Sequence, residues 1–246
     1  YNSFSPTAVP LLNLTDDARL VPPVIRLTND SNQFSLGRAF YPTRIPFNFT
    51  KTPNSTISTS FSTQFIFSIL PEISTSPGFG LAFVLSGSTS PPNALAGQYF
   101  GLFSTALNAP PGPLIVVEFD TGRNTEFNDR DDNHVGIDLN SIESRVSQPA
   151  AYFDRNAGFV PFRMRNGENI RAWIEFDGPK NEINVTLAPV GVPRPVRPLI
   201  NFRDPVIADY LSDEMFVGFS ASKTTWVEAQ RVLAWSFSDT GVARDV

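Results

Sequence analysis

The chain has 246 residues, a mass of 27.1 kDa and a formal net charge of −5. With 41% hydrophobic residues, 17% charged residues and 22 Phe it has ample material for a packed core, which excludes disorder as the general state. The 19 Lys and Arg set against 24 Asp and Glu, with no basic cluster, argue against nucleic acid or an anionic membrane as the main partner.

No signal-peptide pattern opens the chain, and Tyr1 reads as the start of a mature or trimmed chain. No apolar run approaches the roughly 18 residues of a membrane span. Five N-x-Ser/Thr sequons begin at Asn13, Asn29, Asn48, Asn54 and Asn184. They point to a secreted or extracellular protein, whereas zero Cys, which excludes disulfides and thiol catalysis, would alone suggest the cytosol.

Period-2 alternation dominates from there on. Ile57, Phe61, Phe65, Phe67 and Ile69 are apolar between mostly polar even positions such as Ser62, Gln64 and Ser68. Ile170, Ala172, Ile174 and Phe176 alternate with Arg171, Trp173, Glu175 and Asp177. In 182–187, Ile183, Val185 and Leu187 alternate with Glu182, Asn184 and Thr186, which puts the Asn184 sequon on a wet face too. Met215, Val217, Phe219 and Ala221 form a further strand, and Leu233, Trp235 and Phe237 the last. Most of the 22 Pro and 15 Gly punctuate these runs as turns and long loops. No amphipathic helix of three turns, internal repeat or linker-like boundary stands out. The expectation is one all-β domain over 1–246, an antiparallel β-sandwich of jelly-roll type.

The densest chemistry lies in 116–134. Glu118 and Asp120 are two apart on a strand, so both carboxylates leave one face while Val117 and Phe119 take the other. A loop then brings in Asn124, Asp129 and His134, the only histidine. Two close carboxylates repel unless a proton or cation neutralises them. Oxygen donors from Asp120, the Gly122 carbonyl, Asn124 and Asp129 suit Ca²⁺. Glu118, Asp120, Asp129 and His134 suit a second ion, and one imidazole among carboxylates favours Mn²⁺ or a related metal. The competing reading is a solvated acidic loop with an incidental His.

These residues resemble the signature of the legume (L-type) lectins. Glu118, Asp120, Asn124, Asp129, His134, Gly136, Ile137, Asp138, Asn140 and Ser141 fall on the family's pattern, and Ser144 fits the Ser that supports the transition metal through water. The similarity extends along essentially the whole chain, from Asp17-Ala-Arg and Gly37-Arg-Ala through 60–68, Gly80-Leu-Ala-Phe and Gly101-Leu-Phe to 216–221 and 232–237. It implies the family's twisted jelly roll with adjacent Ca²⁺ and Mn²⁺ sites. The stretches 173–179, 184–189 and 212–221 look most like the ectodomains of plant L-type lectin-domain receptor-like kinases. That likeness implies the outer side of the plasma membrane, with a membrane span and a kinase domain beyond Val246. It also implies a homodimer through the back sheet, unless glycans at Asn13 or Asn184 block that edge, and allows a co-receptor.

The sugar site implied by the family departs from pattern here. Asn124 retains the Asn that gives its oxygen to calcium and its NH₂ to a sugar hydroxyl. Phe79 stands where the family's sugar-binding Asp belongs, Gly122 where an aromatic stacks on the sugar, and Gly97-Gln98 keeps one glycine of a Gly-Gly donor loop. Each charged hydrogen bond lost costs about 1.5–3 kcal/mol. Phe79 either packs inward or offers a ring to an apolar or peptide ligand, and Trp226 is either an exposed anchor or core. Catalysis is a poor fit. Glu118-Phe-Asp120 lacks the second acid of a β-glucanase strand, and no Gly-x-Ser-x-Gly elbow is present. The expectation is a metal-stabilised recognition domain with an impaired standard sugar site, sensing a glycan, peptide or small apolar ligand. A conventional Ca/Mn-dependent carbohydrate-binding lectin is the alternative.

Overall fold

The computed structural model describes residues 2–5, 12–47, 49–50, 56–76, 78–105, 112–240, 243 and 245–246. Nineteen strands are assigned among them: β1 (Asn13–Asp16), β2 (Arg19–Val21), β3 (Val24–Arg26), β4 (Ser35–Phe40), β5 (Ile45–Pro46), β6 (Phe49–Thr50), β7 (Thr56–Ile57), β8 (Phe61–Pro71), β9 (Leu81–Ser86), β10 (Leu114–Asp120), β11 (His134–Leu139), β12 (Val146–Pro149), β13 (Ala151–Asp154), β14 (Gly158–Pro161), β15 (Ile170–Asp177), β16 (Glu182–Pro189), β17 (Ile200–Arg203), β18 (Glu214–Lys223) and β19 (Glu228–Ser238). The helical turns among the described residues are short 3₁₀ segments, such as Gly97–Tyr99 and Thr125–Phe127. The fold is all-β.

Two antiparallel sheets carry it. One runs β1-β4-β18-β9-β10-β11-β12, with β5 added to β18, and the other β17-β16-β15-β8-β19-β3-β2. The alternating apolar residues meet between them. Phe65 packs on Phe83, Phe119 and Phe219 at centroid distances of 5.9, 5.7 and 4.9 Å, edge-on to the last two. Ile170, Ala172, Ile174 and Phe176 of β15 are buried as their spacing predicts.

The eight-stranded sheet is covered on its other face too. Phe40, Ala82, Val84, Leu114 and Val116 pack there beneath Phe100, Leu102 and Phe103 of the 95–103 segment. That roof is tied down through its backbone oxygens. Arg38 Nε donates to Gly101 O at 3.0 Å, Ser220 Oγ to Phe100 O at 2.6 Å and Ser222 Oγ to Gly97 O at 2.8 Å. Polar residues on a sheet face are thereby satisfied in a dry place. β9 and β10, covered on both faces, read as near-continuous apolar runs rather than strict alternation.

Simple alternation fails locally. Trp173 is 6% exposed although it lies on the outer face of the seven-stranded sheet, with the Arg194 and Arg171 guanidinium groups 5.6 and 5.9 Å from its ring centroid. Leu233 does not join Trp235 inside. The β8–β19 register shifts between Val232 and Ala234, so Val232 and Trp235 face the core and Leu233, the extra residue of the bulge, is only half-buried. Ser62 and Gln64, on the polar side of β8, are buried as well, holding Ala243 N at 2.6 Å and Asp245 Oδ1 at 3.2 Å.

Candidate metal centre and ligand site

β10 and β11 set the first geometry. Their register pairs Asp120 with His134 and Glu118 with Gly136, so three donor side chains leave adjacent strands on one face. Glu118, Asp120 and His134 are all buried, with one donor atom each within 4.8 Å of the others. His134 Nε2 lies 3.3 Å from Glu118 Oε1 and 4.0 Å from Asp129 Oδ1. His134 Nδ1 lies 3.0 Å from Asp131 O. A carbonyl can only accept, so Nδ1 carries the proton and Nε2 faces the carboxylates.

The 121–133 loop is folded by its own polar groups. Asp129 Oδ2 accepts from Asn124 N at 2.6 Å, and Gly122 N donates to Asp120 Oδ1 at 2.5 Å. Ser144 Oγ stands 2.6 Å from both Glu118 Oε1 and Asp138 Oδ1. Burial pushes Asp120 well above the usual carboxylate range, and the Glu118 charge adds to it; Asp138 is raised for the same reasons, and Asp129 is raised by burial. Burial pulls His134 down, but its hydrogen bond to Glu118 and the charges of Glu118, Asp120 and Asp129 outweigh that and carry it up to about 9. Asn124 Oδ1 and Asp138 Oδ2 are buried without a hydrogen-bond partner. One imidazolium is little positive charge for a crowd of buried carboxylates with unshared oxygen lone pairs, and a cation would supply more.

The neighbouring face, where the candidate ligand residues lie, is shaped by Phe79. A Cβ on Gly122 would stand 3.1 Å from Phe79 Cδ1 and 3.1 Å from Gly78 O, and one on Gly97 would stand 3.5 Å from Phe79 Cε2. The half-buried ring thus lies between Gly97 and Gly122 and leans on the Phe40–Phe103 cluster. It packs inward over part of its surface and shows the rest. Gln98 is half-buried in the 3₁₀ turn, and Asn124 Nδ2 donates to Glu126 Oε1 at 3.2 Å. Trp226, between β18 and β19, is 47% exposed and is not core. Phe34, whose N donates to Thr224 O at 2.8 Å, stands 69% exposed on the same rim.

One residue beneath this site escaped sequence reasoning. Glu228, fully buried, accepts from Gly80 N at 2.9 Å, Gly78 N at 3.2 Å, Thr121 Oγ1 at 2.9 Å and Gln230 Nε2 at 2.9 Å. It joins the Phe79 segment to the start of the acidic loop. Its one signal is the inward parity of Glu228, Gln230 and Val232 at the head of a strand.

Of the sequons, Asn13 is exposed on β1, at the edge of the eight-stranded sheet rather than the seven-stranded one. Asn29 Oδ1 accepts from Ser31 N at 3.0 Å. Asn184 is half-buried, donating to Glu182 Oε1 and accepting from Asn201 Nδ2 at 2.7 Å. Asn48 and Asn54 lie outside the described residues.

Comparison with known proteins agrees with this geometry. The model of the legume lectin domain matches residues 1–246. The chain is similar to the L-type lectin-domain containing receptor kinase S.1 of Arabidopsis thaliana, 60% identical over 248 residues, covering 100% of this chain and 38% of that protein. Among solved structures it resembles basic winged bean lectin with Tn-antigen (TM-score 0.75, 29% identity, 98% of each chain). It also resembles peanut lectin with a 9mer peptide (TM-score 0.76, 25% identity, 96% of this chain and 94% of that one). A match along the whole sequence, the paired sheets and the acid–histidine cluster at the head of β10 and β11 lead to one conclusion: this chain belongs to the legume lectin domain family.

Proposed function

We propose that residues 1–246 form one extracellular recognition domain of a plant receptor kinase. In this reading Ca²⁺ and Mn²⁺ brace its loops and the ordinary sugar site is impaired. The orphaned buried oxygens of Asn124 and Asp138 and the raised carboxyls around them support the metal reading. Asp120, the Gly122 carbonyl, Asn124 and Asp129 would hold Ca²⁺; Glu118, Asp120, Asp129 and His134 would hold Mn²⁺. Bound there, the ions neutralise the carboxylates and fix the loop. Ser144 keeps Glu118 and Asp138 in place, and Asp131 holds the His134 ring.

The single observation carrying the impaired site is the Phe79 ring seated against Gly122 and Gly97. It fills the space that a stacking aromatic at 122 would need, and it offers no acceptor to a hydroxyl. The ligand is then one that values apolar contact: a peptide, a small apolar molecule or a glycan with an apolar substituent, met by Phe79, Gln98 and Trp226. The peptide in the peanut lectin structure is in keeping with this breadth.

Conventional sugar binding is the second reading. It is favoured by the free Oδ1 of Asn124, which a calcium ion would engage while Nδ2 exchanges Glu126 for a sugar hydroxyl. A glycan array with metal-loaded protein decides between them. The proposal expects no saturable binding of simple monosaccharides. EDTA-sensitive binding of a simple monosaccharide, lost in Asn124→Ala, would overturn it. The chain spans 38% of the length of the L-type lectin-domain containing receptor kinase S.1 of Arabidopsis thaliana, so membrane anchoring, kinase signalling, any co-receptor and pairing through the seven-stranded sheet belong to the same proposal. No helix among the described residues is long and apolar enough to cross a membrane.

A further inference from the structure

The sandwich is open at the end remote from the metal loops. β19 starts beside them at Glu228 and reaches the opening at Ser236, about 25 Å away at roughly 3.3 Å per residue. A cavity of ≈ 350 Å³ lies there between the sheets. Val217 and Ile45 wall it from one sheet, and Trp235 and Phe237 from the other. Tyr41 and Asp239 stand at its exposed mouth. Its volume lies at the small end of ligand pockets, which run from about 300 Å³ upward, enough for one ring and a short arm.

The charge at the mouth gives the ligand its sign. Among the described residues neither the Asp239 carboxylate nor the Tyr41 hydroxyl has a hydrogen-bond or ionic partner. The two cations nearest Tyr41 in sequence are occupied elsewhere, Arg38 with Asp16 at 2.6 Å and Arg44 with Glu214 at 2.8 Å and 5.0 Å over the Phe216 ring, while Arg244, beyond Asp239, lies outside the described residues. A carboxylate beside three aromatic rings attracts an ammonium group, and the rings add their own electrostatic attraction to a cation. The apolar floor in turn wants a flat hydrocarbon body.

We propose that this cavity is a binding site for a small arylalkyl primary amine. The ring enters between Val217 and Trp235, and the ammonium meets Asp239 and the Tyr41 hydroxyl at the mouth. It is separate from the Phe79 face and does not depend on the metals.

Ligand-observed NMR on the intact domain, with phenethylamine, 2-phenylethanol and phenylacetate as probes, tests this. The amine is expected to bind and the anion to bind about two- to fivefold more weakly, the worth of one exposed ion pair. Asp239→Asn, at an exposed position, is expected to weaken the amine by a similar factor without moving the Tm, and Tyr41→Ala to weaken it further. Equal binding of all three probes, no binding of the amine at about 5 mM, a range where even a millimolar Kd gives a signal, or amine binding indifferent to both substitutions would overturn the proposal.

Discussion

His134 Nε2 lies 3.3 Å from Glu118 Oε1, across the β10–β11 ladder and diagonal to its own register partner Asp120. Without a cation, the contact that relieves these carboxylates is a proton on the imidazole. A metal ion would take that proton's place.

The sign of the pH dependence follows. With the metals stripped, His134 is raised from its ordinary 6.5 to about 9, so the stability it contributes is complete below pH 6.5 and is lost as pH climbs through about 9. Asp120, Asp138 and Glu228 are raised as well, so each favours the fold while protonated and costs stability once pH passes its ordinary value. EDTA-treated protein should therefore melt at a higher temperature at pH 5.5 than at pH 8.5. Calcium and manganese should flatten or reverse the difference and release protons on binding. Calorimetry at the two pH values checks this, and a stripped protein that melts higher at pH 8.5 would refute it.

Gly136 faces the same cluster. A Cβ there would run into Glu118 Oε1 and Ser144 Oγ. Gly136→Ala should displace Glu118 and cut metal affinity about 10–100-fold, as losses of supporting contacts around metal ligands do. Metal titration followed by melting temperature reads the effect. The same affinity as the parent would show that Glu118 is not a ligand.

Phe79 and Gly122 should behave as a pair. Gly122→Tyr alone forces a ring into space that Phe79 and Gly78 O already occupy and should cost about 1–3 kcal/mol. With Phe79→Ala the strain should largely vanish, leaving a coupling energy of roughly 0.5–3 kcal/mol in a double-mutant cycle. Additive costs in urea unfolding would mean that the two residues do not share one space.

Glu228→Ala should be among the more damaging single changes near the site. It strands the Gly78 and Gly80 amides and the Thr121 hydroxyl in a dry interior, at about 1–3 kcal/mol for each buried donor left unmet. Urea unfolding measures the loss. Metal affinity should fall with it, because Thr121 sits between Asp120 and Gly122. Trp226→Ala, on the exposed rim, should leave the midpoint nearly unchanged.

The fold was legible wherever one face of a strand is apolar, as at Phe61–Ile69 and Ile170–Phe176, and the acid–histidine cluster was legible because its side chains crowd into 118–134. Four things were not. The burial of Trp173 was hidden because alternation assumes a bare outer face, and arginines from Arg171 and the 191–198 loop cover it. Leu233 looked buried because a bulge inverts parity without a mark in composition. Glu228 stayed hidden because its partners are backbone amides 148 and 150 residues away, and amides carry no residue type to read. The seat of Phe79 between two glycines is a contact across three loops, which spacing along one loop does not encode.

All seven residues of β10 are buried, between the inter-sheet core on one side and the 95–103 roof on the other. The acids at its end therefore hang from the part of the sheet whose amides should exchange slowest with deuterium, while the 121–133 loop that completes the cluster is half open to water. Chelation should then speed exchange in the loop and leave the β9–β10–β11 ladder protected. Occupancy of the ions would be registered at the proposed recognition face as loop order, with the frame beneath it unmoved.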